Sequence, residues 1–213
     1  MNKIRVFLSD DHSILREGLK QILEESEDLT VVGEASNGTS TLKKLNDVEC
    51  DVLILDIAMP GFTGIDVLKR LADLHSHLPV LILSMYPADQ YAVRLLKSGA
   101  KGYMTKEAAS DELVKAVKQI ALGKRYLSSE VMELLSQDAL NNNQDMPHDK
   151  LSTREFQVLC HIASGKTVSE IAEILSLSVK TISTYRTRIL GKMNLKTNAE
   201  LTNYGLKNHL IKL

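Results

Sequence analysis

The sequence VLILDIAMPG, residues 52–61, decides the fold of the first part of this chain. Four aliphatic residues lead to a single carboxylate, Asp56, and Pro60 and Gly61 break the pattern shortly afterwards. A short aliphatic run closed by Pro-Gly is typical of a strand buried on both faces, since a helix usually needs about ten residues or more. In open α/β sheets, ligands bind at the carboxyl ends of the strands. The stretch therefore predicts a central strand that delivers Asp56 to a functional edge.

Four more strands are predicted in the first 125 residues, and each is followed by apolar residues at helical spacing. The predicted strands cover residues 4–8, 29–35, 79–84 and 102–106. The apolar face of the first helix is predicted to begin at Ile14, and that of the helix after Asp56 to extend to Leu74. Strands that alternate with helices favour a parallel, doubly wound sheet, so we expect an α/β domain of five strand–helix units.

Polar side chains collect where these strands end. They are Asp10, Asp11, Asp56, Ser84 and Lys106. Three carboxylates in one cleft repel one another unless a cation lies among them, and Mg²⁺ is a hard ion that accepts carboxylate oxygens. Lys106 adds a positive charge and Ser84 a hydroxyl group that can bind a phosphoryl oxygen. The edge is therefore suited to phosphoryl transfer, with Asp56 as the nucleophile that accepts the group.

Each of these residues also has an ordinary explanation when it is considered alone. Asp11 is a favoured residue type for capping the following helix. An isolated lysine such as Lys106 is most often a solvated charge. A functional site is favoured because all five residues fall at the same end of successive strands, which packing does not require.

The first 125 residues or so resemble the receiver domain of bacterial two-component response regulators, a (βα)5 flavodoxin-like fold. The resemblance is carried by Asp10-Asp11, the DIAMPG motif at 56–61, Ser84 and Lys106. It implies that Asp56 accepts a phosphoryl group from the phosphohistidine of a sensor histidine kinase. It also implies that Mg²⁺ is held by Asp11, Asp56 and the backbone carbonyl of Ala58, with Asp10 in support.

The same resemblance identifies Ser84 and Tyr103 as a switch pair, in which the hydroxyl moves toward the phosphate and the ring turns inward behind it. Glu107 departs from the proline that many receivers carry after the lysine, which leaves the local loop shape open. The enzymatic rival is an aspartyl-phosphate hydrolase, which generally needs a second acid two residues after the nucleophile. Here that residue is Ala58, so a switch is favoured over a hydrolase.

Charge is divided unevenly along the chain. Of 26 basic and 27 acidic residues, nine basic and four acidic ones follow Lys150, which gives +5 there and, from the remaining 17 and 23, −6 before it. An acidic part joined to a basic part suggests a regulator attached to a nucleic-acid binder. Cys50 and Cys160 lack metal-site spacing, and no apolar run approaches the roughly 20 residues that span a bilayer. We therefore expect a cytoplasmic protein without membrane contact.

A polar segment separates the two parts. It begins after residue 125, includes a predicted helix from Ser128, and continues into NNNQDMPHDK at 141–150, which contains proline and lacks apolar periodicity. The predicted organisation is a phosphoacceptor domain at 1–125, a linker at 126–150 and a small all-α domain at 151–213.

The all-α domain is predicted to begin with a helix capped by Ser152 or Thr153 and to contain a helix pair joined by the turn at 176–178. In the second helix of the pair, Val179–Met193, apolar residues share one face while hydroxyl and basic residues occupy the other. An ordinary amphipathic helix with a solvated face is the alternative. The position after a tight turn favours a helix that enters the major groove of DNA.

This second part resembles the LuxR-type helix-turn-helix domain of response regulators of the NarL/FixJ class. The motifs that carry the resemblance are LSTRE at 151–155, EIA at 170–172 and VKTISTY at 179–185. The implied base contacts are Ser183, Thr184 and Thr187, and the implied phosphate contacts are Lys180, Tyr185, Arg188 and Lys192.

The resemblance also implies that the last helix, predicted at 198–209, pairs two copies on pseudo-palindromic double-stranded DNA. The expected function is a DNA-binding transcriptional regulator, not an enzyme, that a sensor kinase controls through Asp56. The alternative is a transcription factor whose receiver is only a dimerisation module and acts independently of phosphorylation.

Overall fold

The computed structural model describes residues 3–74, 77–141, 146–208 and 210–211. The chain forms two units that divide between Leu135 and Ser136. None of the helices in the described residues has the length and hydrophobicity that crossing a bilayer requires.

A five-stranded parallel sheet organises the first unit. Its strands are β1 (Ile4–Ser9), β2 (Leu29–Ala35), β3 (Val52–Asp56), β4 (Val80–Ser84) and β5 (Gly102–Thr105). Their spatial order is β2-β1-β3-β4-β5, with every neighbouring pair parallel. All five residues of β3 are buried, as a strand covered on both faces must be. The predicted doubly wound α/β fold is confirmed.

Helices follow each strand of the sheet. They are α1 (Ser13–Glu24), α2 (Gly38–Leu45), α3 (Gly64–Asp73), α4 (Ala88–Lys97) and α5 (Ala109–Ala121), which follows a 3₁₀ turn at Lys106–Ala108. A further helix, α6 (Ser129–Asn141), comes after α5 in the chain. Leu19 and Leu23 of α1 join the core with Val117 and Ile120 of α5. This packing places the start of α1 beside the carboxyl edge of the sheet.

Two local expectations and one of the alternative explanations are wrong. Ile14 is 88% exposed, because it lies in the first turn of α1 and the buried residues of that helix begin at Leu19. Leu74 is 57% exposed, because α3 ends at Asp73. Asp11 does not cap α1, since the capping position is His12 and no side chain completes the cap.

The chain returns to the sheet after α5. The amide of Tyr126 donates to the carbonyl oxygen of Lys101 at 2.9 Å, and Tyr126 forms an isolated parallel bridge with Gly102. The Tyr126 side chain is only 4% exposed and belongs to the same apolar cluster as α1 and α5. The segment that leaves α5 is therefore part of the packed first unit.

The second unit is helical. After a 3₁₀ turn at Pro147–Lys150 it contains α7 (Thr153–Ala163), α8 (Val168–Ile174), α9 (Val179–Met193) and α10 (Asn198–Lys207). The side chains of Ser152, Thr167, Ser178 and Thr197 each accept an amide hydrogen bond at the start of a helix, so Ser152 is the cap of α7. The predicted last helix extended to 209, whereas α10 ends at Lys207 and His209 lies outside the described residues.

Replacement of Gly64 by alanine is expected to lower the free energy of unfolding by about 1–3 kcal/mol. Gly64 opens α3 directly against the end of β3, and a Cβ there would overlap the carbonyl oxygen of Asp56. Gly18→Ala is the matched control, because a Cβ at this position in α1 meets no atom within 4 Å. That change should raise stability by up to about 1 kcal/mol through helix propensity. Urea unfolding of both variants measures these changes. A Gly64→Ala variant as stable as the wild type would contradict the close approach of Gly64 to the Asp56 carbonyl.

Candidate metal centre and nucleic-acid interface

The carboxyl edge of the sheet brings three of the five predicted residues into direct contact. Nζ of Lys106 lies 2.7 Å from Oδ2 of Asp10 and 2.8 Å from Oδ2 of Asp56. The three side chains are at most 4% exposed. Asp10 follows β1, Asp56 ends β3 and Lys106 follows β5, so the parallel arrangement of these strands creates the contact.

Asp11 completes an acidic cluster that is suited to a divalent cation. Ligand atoms of Asp10, Asp11, His12 and Asp56 all lie within 4.8 Å of one another. Oδ1 of Asp11 is buried, and Nδ1 of His12, 3.0 Å away, does not have the geometry of a hydrogen bond to it. A buried carboxylate oxygen without a hydrogen-bond donor is the kind of ligand that Mg²⁺ takes, so the residues fit the ion.

Burial and charge shift the pKa values of Asp56 and Lys106 in opposite directions. Burial raises the pKa of the Asp56 carboxyl, while the charge of Lys106 and the amide of Ala58, which donates to Oδ1 at 3.0 Å, partly offset this. Burial alone would lower the pKa of Lys106, but the charge of Asp56 and the bonds to Asp10 and Asp56 outweigh it, so the pKa is raised. The ammonium therefore stays protonated between its two carboxylates.

Ser84 and Tyr103 meet through the backbone of Tyr86. Oγ of Ser84 accepts from the amide of Tyr86 at 3.0 Å, and the hydroxyl of Tyr103 donates to the carbonyl oxygen of Tyr86 at 2.6 Å. The Tyr103 ring is 1% exposed, and burial raises the pKa of its hydroxyl. The Tyr103 ring is therefore buried, with its hydroxyl bound to the backbone of Tyr86.

Two groups that support the cluster were missed by sequence reasoning. Nη1 of Arg16 donates to the carbonyl oxygen of Asp10 at 2.7 Å, while its Nε donates to Glu34 at 3.1 Å. His12 was also missed, although its place directly after two acids was a signal. Arg16 lies in the first turn of the helix after the acid pair, and this position was the signal that could have identified it.

The loop after Asp56 is also tied to its neighbours. Oγ of Ser9 lies 2.6 Å from Oγ1 of Thr41 and donates to the sulfur of Met59 at 3.3 Å. All three side chains are buried. The backbone that carries Ala58 is therefore fixed on the side of β1 and α2.

The predicted reading helix α9 has the expected two faces. Ile182, Ile189 and Met193 are buried, and Tyr185 is half-buried. The other predicted contact residues are exposed, namely Lys180, Ser183, Thr184, Thr187, Arg188 and Lys192.

Two of the exposed hydroxyl groups on α9 already donate hydrogen bonds within the helix. Oγ1 of Thr184 donates to the carbonyl oxygen of Lys180, and Oγ1 of Thr187 donates to that of Ser183. The lone pairs of their hydroxyl oxygens and their methyl groups remain available for contact with a base edge. Lys180, Thr184, Tyr185 and Arg188 line one surface pocket, so the structure brings these predicted contacts together.

Lys192 differs from the other predicted basic contacts, because it already has an acidic partner within the protein. Its Nζ lies 2.6 Å from Oε2 of Glu155. Lys180 and Arg188 make no ion pair among the described residues.

The first unit is a parallel α/β domain with an acid–lysine cluster, and the second presents a basic helix suited to DNA. This combination defines a regulated DNA-binding protein. Residues 6–118 match the family model of the response regulator receiver domain, and residues 149–204 match that of the bacterial regulatory proteins of the luxR family. The chain therefore belongs to the response regulators that join a receiver to a LuxR-type DNA-binding domain. Members of this family are transcription regulators and not enzymes.

Relatives match this chain along almost its whole length. Response regulator GacA of Pseudomonas aeruginosa is 34% identical over 209 residues, which cover 98% of both chains. Response regulator UvrY of Escherichia coli K12 is 33% identical over 208 residues, covering 97% of this chain and 95% of its own.

Solved structures of RcsB from Salmonella typhimurium are also similar. One has a TM-score of 0.70 at 29% identity and covers all of both chains. Another, bound to a promoter in the presence of a phosphomimetic, has a TM-score of 0.62 at 30% identity and covers 95% of this chain and 98% of its own.

Replacement of Lys106 by methionine is expected to make stability depend strongly on Mg²⁺. Without metal, the variant leaves Asp10 and Asp56 buried without their cation, a loss of about 3–5 kcal/mol for a broken buried pair. Because the ammonium no longer competes for the carboxylates, Mg²⁺ should raise the melting temperature of the variant by more than that of the wild type.

Thermal unfolding in EDTA and in Mg²⁺ measures both effects. Lys69→Met is the control, since this lysine lies exposed on α3. Equal Mg²⁺-induced shifts in Lys106→Met and the wild type would contradict competition between the lysine and the ion.

Proposed function

We propose that phosphorylation of Asp56 switches this regulator and so changes its binding to promoter DNA. The observation that carries the proposal is the ammonium of Lys106 held between the carboxylates of Asp10 and Asp56 at the end of parallel strands. Such a group is placed to offset charge on a phosphoryl oxygen during transfer.

In the proposed reaction a carboxylate oxygen of Asp56 attacks phosphorus in the phosphohistidine of a sensor histidine kinase. The P–N bond breaks as the P–O bond forms, and the imidazole nitrogen leaves with its electron pair. Asp11, Asp56 and the carbonyl of Ala58 would hold Mg²⁺, with Asp10 in support, and when bound the ion supplies positive charge to the phosphoryl oxygens. Lys106 supplies the second positive charge from its fixed position.

Ser84 and Tyr103 are the proposed switch. The Ser84 hydroxyl is buried at the end of β4, next to the strand that carries Asp56, so it is placed to bind a phosphoryl oxygen. Tyr103 lies one strand further along, on β5, and both residues bond the backbone of Tyr86. A shift of Ser84 toward the phosphate therefore alters the loop that the Tyr103 hydroxyl binds.

The proposed division of labour gives residues 1–125 the phosphoacceptor role and 151–213 the role of the DNA-binding domain. Residues 126–150 would be the linker, whose start is anchored to the first unit through Tyr126. Ser183, Thr184 and Thr187 are the proposed base-reading residues. Lys180, Tyr185 and Arg188 are the proposed phosphate contacts. RcsB has been solved as dimers bound to DNA, which supports a homodimer of this chain on a pseudo-palindromic site. A cytoplasmic location follows from this function.

Asp56→Asn is expected to abolish labelling by acetyl phosphate in the presence of Mg²⁺, because an amide lacks the nucleophilic carboxylate. Asp51→Asn is the matched control, since Asp51 immediately precedes the same strand and is bound by Arg5 at the opposite edge of the sheet. Phosphate-affinity electrophoresis should show full labelling of the control. Undiminished labelling of Asp56→Asn would reject the site assignment.

The same pair of proteins tests the alternative in which the receiver only dimerises. Under the proposal, acetyl phosphate changes the DNA affinity of Asp51→Asn and leaves that of Asp56→Asn unchanged. If DNA affinity and oligomeric state respond to acetyl phosphate in neither protein, although Asp51→Asn is labelled, the phosphorylation-independent role is favoured.

Lys180→Ala is expected to weaken binding to every DNA sequence by a similar factor and to reduce the slope of log K against log salt by about 0.9, which is the value for one phosphate contact. Lys69→Ala is the control, because α3 lies in the receiver and Lys69 is not a proposed contact. Fluorescence anisotropy at several salt concentrations gives the slope. A slope equal to that of the wild type would contradict the placement of α9 on DNA.

A further inference from the structure

We propose that Lys192 is a positioning residue, which fixes the reading helix α9 through an ion pair with buried Glu155 and does not bind a DNA phosphate. Its Nζ lies 2.6 Å from Oε2 of Glu155. The Glu155 side chain is 4% exposed and that of Lys192 is 43% exposed. The buried member of the pair therefore depends on the exposed one for its only opposite charge among the described residues.

Glu155 connects this lysine to the start of another helix. It is the third residue of α7, where Oε2 accepts from the backbone amide of Ser152 at 2.7 Å and the Ser152 side chain accepts from the amide of Glu155. This reciprocal arrangement is a capping box, which fixes the carboxylate in space. Because the same oxygen also binds Lys192, the last turn of α9 is fastened to the first turn of α7.

Position along the helix also favours this role. Lys192 is twelve residues after Lys180, which corresponds to about 18 Å along an α-helix. The proposed base-reading residues lie closer to the middle of α9, since Ser183 and Thr184 belong to its first half and Thr187 follows the middle residue. Lys192, in the last turn, is placed to fix the direction of the helix that carries them.

Binding of Lys192 to a phosphate would carry an electrostatic penalty. Transfer of the ammonium to DNA would leave the Glu155 carboxylate buried with amide and hydroxyl partners but without a cation. The pKa of Glu155 is lowered despite its burial, by the bond from Lys192 and by those from Ser152, which agrees with a carboxylate that stays ionised in the pair. A lysine whose charge is already compensated within the protein also releases few counterions from DNA.

The test uses the full chain and a labelled promoter fragment, with anisotropy titrations at several salt concentrations. Lys192→Met should weaken binding about tenfold or more, because it breaks a buried pair, and leave the salt slope at the wild-type value. Lys180→Met should instead reduce the slope by about 0.9.

The double variant Lys192→Met with Glu155→Gln separates the two roles. It removes both charges, while the amide oxygen of Gln keeps an acceptor for the Ser152 amide. Under the proposal, the salt slope stays at the wild-type value, and affinity rises above that of Lys192→Met because no buried charge is left unpaired. If Lys192 binds a phosphate, the double variant stays weak and its slope falls by about 0.9, and this result overturns the proposal.

Thermal unfolding by circular dichroism shows which variants are folded. If Lys192→Met does not fold, the double variant alone decides, because it carries no unpaired buried charge. The inference rests on the proposed contact of α9 with DNA, and the two fail in different ways. An unchanged slope for Lys180→Met rejects that contact, whereas a reduced slope for the double variant rejects only the positioning role of Lys192.

Discussion

The receiver depends on one ammonium group shared by two buried carboxylates. Asp10, Asp11 and Asp56 carry three negative charges and Lys106 carries one positive charge, so the cluster is left with a net charge of about −2 when all four are ionised. That remainder matches a divalent cation. Lys106 therefore reduces the electrostatic cost of burying the two acids in the folded chain. The negative charge that remains is the amount that a divalent metal ion neutralises.

The order of the strands is what brings these charged groups together. Asp10 and Lys106 are brought to Asp56 because β1 lies beside β3 and because β5 is reached through β4 on the other side. The carboxyl ends of parallel strands necessarily share an edge, so the sequence was sufficient to predict that these residues meet. Strand positions were readable from aliphatic runs, and the chemistry followed from the residue type at the end of each run.

Other contacts of the site could not be predicted from the sequence. The contact between Arg16 and the carbonyl of Asp10 depends on how α1 turns as it leaves the loop, and the bond of Ser9 to Met59 depends on the shape of the loop after Asp56. Helical spacing fixes which residues share a face but not how far that face extends over the core, which is why Ile14 and Leu74 were misplaced. In α9 the same rule succeeded because the helix is packed along its length, from Ile182 to Met193. The pairing of Lys192 with Glu155 joins two helices and has no signature in the sequence of either.

The segment after α5 shows how the packed sheet extends beyond its last strand. Residue type and polarity placed Tyr126 at the start of a linker, yet its ring joins the core and its amide binds Lys101. A Cβ at Gly102 would lie 3.0 Å from the Tyr126 carbonyl oxygen, so a larger residue there would require this segment to shift by a few tenths of an ångström. Tyr103 is the next residue of the same four-residue strand. The buried Tyr103 ring and the segment that follows α5 are therefore anchored on adjacent residues of β5.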